Sequence, residues 1–113
     1  MRFLMLVLSD PELTDPAAEP APVTIEEWSA EVYDTGRGIE GDRLRPPAEA
    51  KTVRRRKGEV IVSDGPFAES YELIGGFDVL ECADLEEAVE IASRHPMAAW
   101  GAIELRAYWP LDL

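Results

Sequence analysis

Phe3–Leu8 reads Phe-Leu-Met-Leu-Val-Leu, six consecutive apolar residues near the start of the chain. A run that short and that apolar is a strand buried on both faces, because side chains alternate sides along a strand. Leu4, Leu6 and Leu8 point one way and Phe3, Met5 and Val7 the other, and each set is too apolar for water. The run is too short for a signal-peptide core, and Asp10-Pro11-Glu12 stands where a small-residue cleavage site would be. It is also far below the length of a membrane span. The chain must therefore supply two covers for one sheet.

The remaining elements decide how many covers it has. With 113 residues the whole chain, 1–113, is expected to be one domain. Asp10–Val23 is acidic, with prolines at 11, 16, 20 and 22, and reads as a surface loop. Thr24 and Glu27 have capping-box spacing, and Ile25, Trp28 and Val32 share one helical face ended by Gly36. Ile39–Arg45 reads as a strand before Pro46-Pro47. Lys51–Arg56 and Val60–Ser63 read as a hairpin with Lys57-Gly58 at its tip. Gly76–Cys82 is a further strand. Asp84 caps a second helix, with Glu87 at the capping-box position and an apolar face of Leu85, Ala88, Val89 and Ala92. Ala102–Trp109 alternates as the last strand.

This order predicts a ferredoxin-like α+β fold, βαββαβ, with a β-hairpin inserted between its halves. Two helices cover one face of such a sheet. The second face then calls for a second copy of the chain, so a homodimer is expected.

Composition narrows the function. The formal net charge is −12, which disfavours nucleic acid and anionic membrane as partners. Eight of the eleven Lys and Arg nevertheless fall between Arg37 and Lys57, a basic stripe that is either a solvated hairpin or a docking surface for an anion. Cys82 is the single cysteine, so no intrachain disulfide forms and a cytoplasmic setting is expected. One His and one Cys cannot make a zinc ligand set, so neither a metal nor another cofactor is expected. Gly36-Arg37-Gly38-Ile39-Glu40-Gly41 has the letters of a dinucleotide fingerprint. It follows a helix and leads into a strand, the reverse of the required context, and is set aside.

The candidate site residues follow from chemistry. Asp64, in Asp64-Gly65-Pro66, is either an Asx-type turn former or a general base raised by burial. Glu69 and Glu72 follow it closely, and either can orient an Arg. Glu104 and Arg106 share one face of the last strand with Tyr108, as a structural ion pair or as an anchor for a ligand carboxylate. His95, just before Pro96, is expected to cap the second helix's C-terminus as a protonated imidazole.

Asp64-Gly65-Pro66-Phe67-Ala68-Glu69, Gly75-Gly76-Phe77, Asp84-Leu85-Glu86-Glu87-Ala88 and Ile103-Glu104-Leu105-Arg106 together resemble the DGPF branch of the YCII-related proteins. Gly41-Asp42-Arg43-Leu44-Arg45-Pro46 and Thr52-Val53-Arg54 fit the same pattern and add Arg45 to the ligand-binding candidates. The resemblance implies a ferredoxin-like subunit pairing into a dimeric α/β barrel. It supplies no function, since fold is shared by unrelated chemistries. Shorter relatives are suspected of using a His on the first helix with an Asp, and the Thr24–Thr35 segment here has no His. Two readings stand: a small-molecule binder or enzyme using a cleft beside the barrel, with Asp64 as acid/base and Arg106 as anion anchor, or a non-catalytic accessory module. Some relatives are encoded beside extracytoplasmic-function sigma factors, which links the second reading to transcription.

Overall fold

In a computed structural model, residues 1–8, 19–67 and 74–112 are described. Among them the chain forms β1 (Arg2–Leu8), α1 (Ile25–Tyr33), β2 (Gly38–Arg43), β3 (Lys51–Arg56), β4 (Glu59–Asp64), β5 (Ile74–Glu81), α2 (Leu85–Arg94), α3 (Pro96–Trp100) and β6 (Ala102–Ala107). The main sheet has the order β2-β5-β1-β6, and each neighbouring pair is antiparallel. With β3 and β4 set apart, this is the strand order of a ferredoxin-like α+β fold.

β3 and β4 form their own two-stranded sheet. Lys57 (φ 50°) and Gly58 (φ 79°) both take positive φ at its tip, as the two central residues of a type I′ hairpin turn do. Lys51 stands opposite Asp64 at the open end.

Both helix starts follow from the sequence. At α1 the Thr24 hydroxyl accepts from the Glu27 N–H at 3.1 Å, and the Glu27 carboxylate accepts from the Thr24 N–H at 3.3 Å. Past its end, the Gly36 N–H reaches the Tyr33 carbonyl at 3.2 Å and the Arg37 N–H the Val32 carbonyl at 3.0 Å, a Schellman closure. At α2 Asp84 accepts from the Glu87 N–H at 2.9 Å, but the Glu87 carboxylate reaches back to Ala83 rather than to the cap residue.

The core lies between the sheet's inner face and the helices. Phe3, Met5 and Leu80 from the sheet meet Trp28 and Val32 of α1 and Ala88, Ile91 and Ala92 of α2. The buried face of α2 is therefore Ala88–Ile91–Ala92, and Leu85 and Val89, expected to face the core, are exposed. Ile25 is likewise exposed, and α1 meets the core through the buried Trp28 and Val32, with the half-buried Tyr33 packed beside them.

His95 departs from expectation in its chemistry. It ends α2, but its Nδ1 accepts a hydrogen bond from the Met97 N–H at 3.0 Å, which makes it the N-cap of the short α3. A nitrogen that accepts carries no proton, so the imidazole is neutral with its proton on Nε2. Burial holds its pKa below the usual 6.5. Its ring meets Trp28 edge-on at 4.6 Å, which fixes it against the core.

The outer face of the sheet carries Leu4, Leu6 and Leu8, opposite Arg106, Glu104 and Ala102 of β6. No described helix packs on it.

Candidate functional site

Strand register places an acid where the inner face should be apolar. Met5 is buried and points to the helices, and its partner on β5 is Asp78. Paired residues across two strands share a face, so Asp78 points inward too. Its other neighbour, on β2, is Gly41. Asp78 is thus an acidic side chain in an otherwise apolar layer, flanked by a residue without a side chain.

Tyr33 meets it from above. Trp28 and Val32 turn to the core, and Tyr33, next along α1, is rotated toward β2. Its hydroxyl donates a hydrogen bond to Asp78 Oδ1. Two glycines make this approach possible. A Cβ at position 38 would stand 2.7 Å from the Tyr33 ring, and a Cβ at 41 would collide with Asp78 Oδ1 and lie 2.5 Å from Tyr33 Oη. The glycines of the Gly36–Gly41 run therefore have structural purposes: Gly36 closes α1, and Gly38 and Gly41 seat the Tyr33–Asp78 pair.

Beside this pair opens a cleft of about 890 Å³. Its walls come from the Ala21–Thr24 approach to α1, from Ile25, Trp28 and Tyr33 of α1, and from Pro96, Met97 and Trp100 of α3. Its floor is Val7, Gly76 and Asp78, with Asp42 and Arg43 of β2 at one side. His95 lines it as well, so the cap of α3 is also part of the wall.

Electrostatics single out Asp78. Burial raises its carboxyl above the usual 3.8, and the Tyr33 hydrogen bond pulls the other way without cancelling that effect. Tyr33 is pushed above the usual 10, chiefly by burial and then by its bond to Asp78. Among the described residues no Lys or Arg forms an ion pair with Asp78. A desolvated carboxyl beside an apolar cleft, with a hydroxyl donor on one oxygen, can accept or release a proton near a bound molecule. Among the described residues no group of three or more His, Cys, Asp or Glu is placed to hold a metal ion.

The catalytic and ligand-binding candidates read from the sequence do not line this cleft where they are described. Asp64 ends β4 with its side chain 83% exposed, and it pairs with Lys51. No backbone N–H bonds to it among the described residues, and the Gly65 N–H goes to the Ala50 carbonyl at 2.8 Å. The Asx-type bond expected there is replaced by this cross-strand ion pair. Arg45 pairs with Glu49 at 2.8 Å on the exposed turn after β2. Arg106 and Glu104 pair at 3.6 Å on the outer face of the sheet. None of these four lines the cleft. Glu69 and Glu72 lie outside the described residues.

Sequence reasoning missed Tyr33 and Asp78. The available signals were an acid inside the apolar run Phe77–Leu80 and two glycines, Gly38 and Gly41, two and five residues past the Gly36 that ends the first helix.

Comparison with known proteins fits this frame. The YCII-related domain family matches residues 1–112. An uncharacterised protein of Rhizobium meliloti (strain 1021) is 50% identical over 50 residues, a match that spans 44% of this chain and 40% of that protein's length. The chain belongs to the YCII-related family.

Proposed function

We propose that this YCII-related protein binds a small molecule in the cleft beneath α1 and α3, with the Tyr33–Asp78 pair as its polar contact and site of proton exchange. One observation carries this reading: an inward-facing carboxyl, without a cationic partner among the described residues, on the floor of a largely apolar cleft. Ligand sites have this composition, an apolar wall with few convergent polar groups. The pair replaces Asp64 and Arg106 as the favoured site because neither of those touches the cleft.

The second part of the reading is a homodimer closed through the outer face of the sheet into the α/β barrel of the DGPF branch. Its support is the apolar Leu4–Leu6–Leu8 row and the surface area. The chain exposes 8367 Å², whereas a compact monomer of this mass exposes roughly 6,200 Å².

Amide chemical-shift mapping with a soluble fragment library tests the binding reading. Hits that perturb Trp28, Tyr33, Asp78 and Trp100 together support it. Hits confined to the outer face or the hairpin contradict it.

An accessory role is favoured by a different observation. The β3–β4 hairpin stands as a separate sheet with Arg54–Lys57 exposed and Val53, Val60, Ile61 and Val62 bare to solvent. A docking module, linked to a transcription factor such as an extracytoplasmic-function sigma factor, would present such an arm. Deleting the arm's charges while leaving fragment binding intact separates the two.

A further inference from the structure

We propose that the ligand of this cleft is an organic cation, an amine or ammonium carried on an apolar body, with Asp78 as its counter-ion. The inference rests on the cleft being the binding site and adds the chemical class of what enters it.

The walls are the first argument. Tyr33 and Trp100 line the cleft from two helices, with the buried Trp28 behind them. Aromatic faces attract a cation through their quadrupole, and they accept an apolar body equally well.

The floor is the second. Asp78 spends one oxygen on the Tyr33 hydroxyl, and among the described residues no hydrogen bond reaches the other from a protein donor and no ion pair balances its charge. A half-buried carboxylate is costly unless a cation or donor meets it. Among the described residues the Tyr33 hydroxyl is the one side-chain donor that meets it and no cation does, and an incoming ammonium supplies both charge and further donors. Burial acts in the same direction, since the carboxyl is held above its usual range and a bound cation would return it to the ionised form.

The surroundings are the third. Of the described charged groups lining the cleft, Glu27, Asp42 and Asp78 are acidic and Arg43 is basic. Glu27 and Asp42 are exposed to solvent, and each also accepts a backbone N–H, whereas Asp78 is the half-buried acid of the cleft and has one oxygen open to a ligand. The net charge of −12 draws cations toward the whole surface and repels anions. An anionic ligand held by Arg43 would have to bring its charge up to Asp78 as it entered.

Three probes of one size separate the possibilities: benzylamine, which is cationic at pH 7, benzyl alcohol and benzoate. Each is titrated at low salt, with amide shifts of the cleft residues and tryptophan fluorescence as readouts. Benzylamine is expected to bind at least tenfold more tightly than benzyl alcohol, with benzoate weaker than both. Asp78→Asn, which keeps an acceptor for Tyr33, should abolish the advantage of benzylamine over benzyl alcohol. Equal binding of benzylamine and benzyl alcohol, or a preference for benzoate, overturns the cation class while leaving the cleft as the site. No shift at cleft residues with any probe overturns both. The comparison of probes on the unaltered protein holds even if the variant does not fold.

Discussion

Asp78 is held in place at a cost to the fold, and that cost makes it testable. Its carboxyl is protonated more readily in the folded chain than in the unfolded one, because burial raises it above 3.8. Between those two values the folded state binds more protons. The contribution of Asp78 to stability is thus fully present below 3.8 and is lost as pH rises through the raised folded value. Asp78→Asn keeps the acceptor and removes the charge, so at pH 7 it should be as stable as the natural chain or more so, at the expense of ligand binding. A lower denaturant midpoint for this variant at pH 7, with an unchanged slope, would contradict the reading. Gly41→Ala should act in the opposite sense. Its methyl group would overlap Asp78 and Tyr33, and overpacking of this kind costs about 1–3 kcal/mol. Asp64 belongs to a different class. Exposed and, among the described residues, paired with Lys51 alone, it should tolerate both Asn and Ala with changes within about 0.5 kcal/mol. At this scale the sequence was least informative. Tyr33 and Asp78 lie 45 residues apart and meet only through the register of β5 with β1 and the rotation of α1. Asp64, in a conspicuous motif, proved to be an exposed strand end.

Elements were far more legible, because their signals are local. The Thr24–Glu27 box, the Lys57-Gly58 tip and the Gly36 stop depend on residues within a few positions of one another, and each forms where its residues indicate. Thr24→Ala should cost about 1 kcal/mol through loss of the cap, read as a lower denaturant midpoint. Half of the α2 face was legible: Ala88 and Ala92 are buried as expected, whereas Leu85 and Val89 share their helical spacing but are exposed, and packing brings Ile91 into the core instead. The junction of α2 and α3 carries the pH dependence. His95 is neutral when folded, and its depressed pKa means that its stabilising contribution is present above 6.5 and lost as pH falls through the folded value. Acidification below 6.5 should therefore loosen α3, the wall of the cleft that His95 caps, before it unfolds the sheet. Amide exchange of residues 97–101 between pH 7 and pH 5 measures this, and protection that is unchanged there while the cap is protonated would exclude it. The sequence placed a capping histidine at this point. Which helix it capped depended on α3, whose Pro96 start was read only as the end of α2.

The whole molecule is flatter and more open than a compact chain of its length. Its radius of gyration is 16.2 Å, against roughly 13 Å for a globular domain of this size. Among the described residues the hairpin forms its own sheet and the helices pack on one face of the main sheet, while the two-sided apolar strand at the start of the chain calls for a cover on the other. Pairing through Leu4, Leu6 and Leu8 should bury about 2,000 Å² or more in total, as permanent homodimers do. Light scattering after size exclusion at micromolar concentration should return twice 12.5 kDa. A monodisperse monomer would sink the dimer. The cleft opens on the opposite side of the sheet, so dimerisation through the outer face leaves it accessible. Its chemical character is the centre of the account, and one titration tests it most directly. The Asp78 side-chain carboxyl can be followed by carbon NMR across the acidic range in the intact protein. The account predicts a midpoint clearly above 3.8 that falls when benzylamine is bound. A midpoint at or below 3.8 in the free protein would mean that Asp78 is an ordinary solvated or already paired acid, and that the cleft lacks the group on which its proposed function rests.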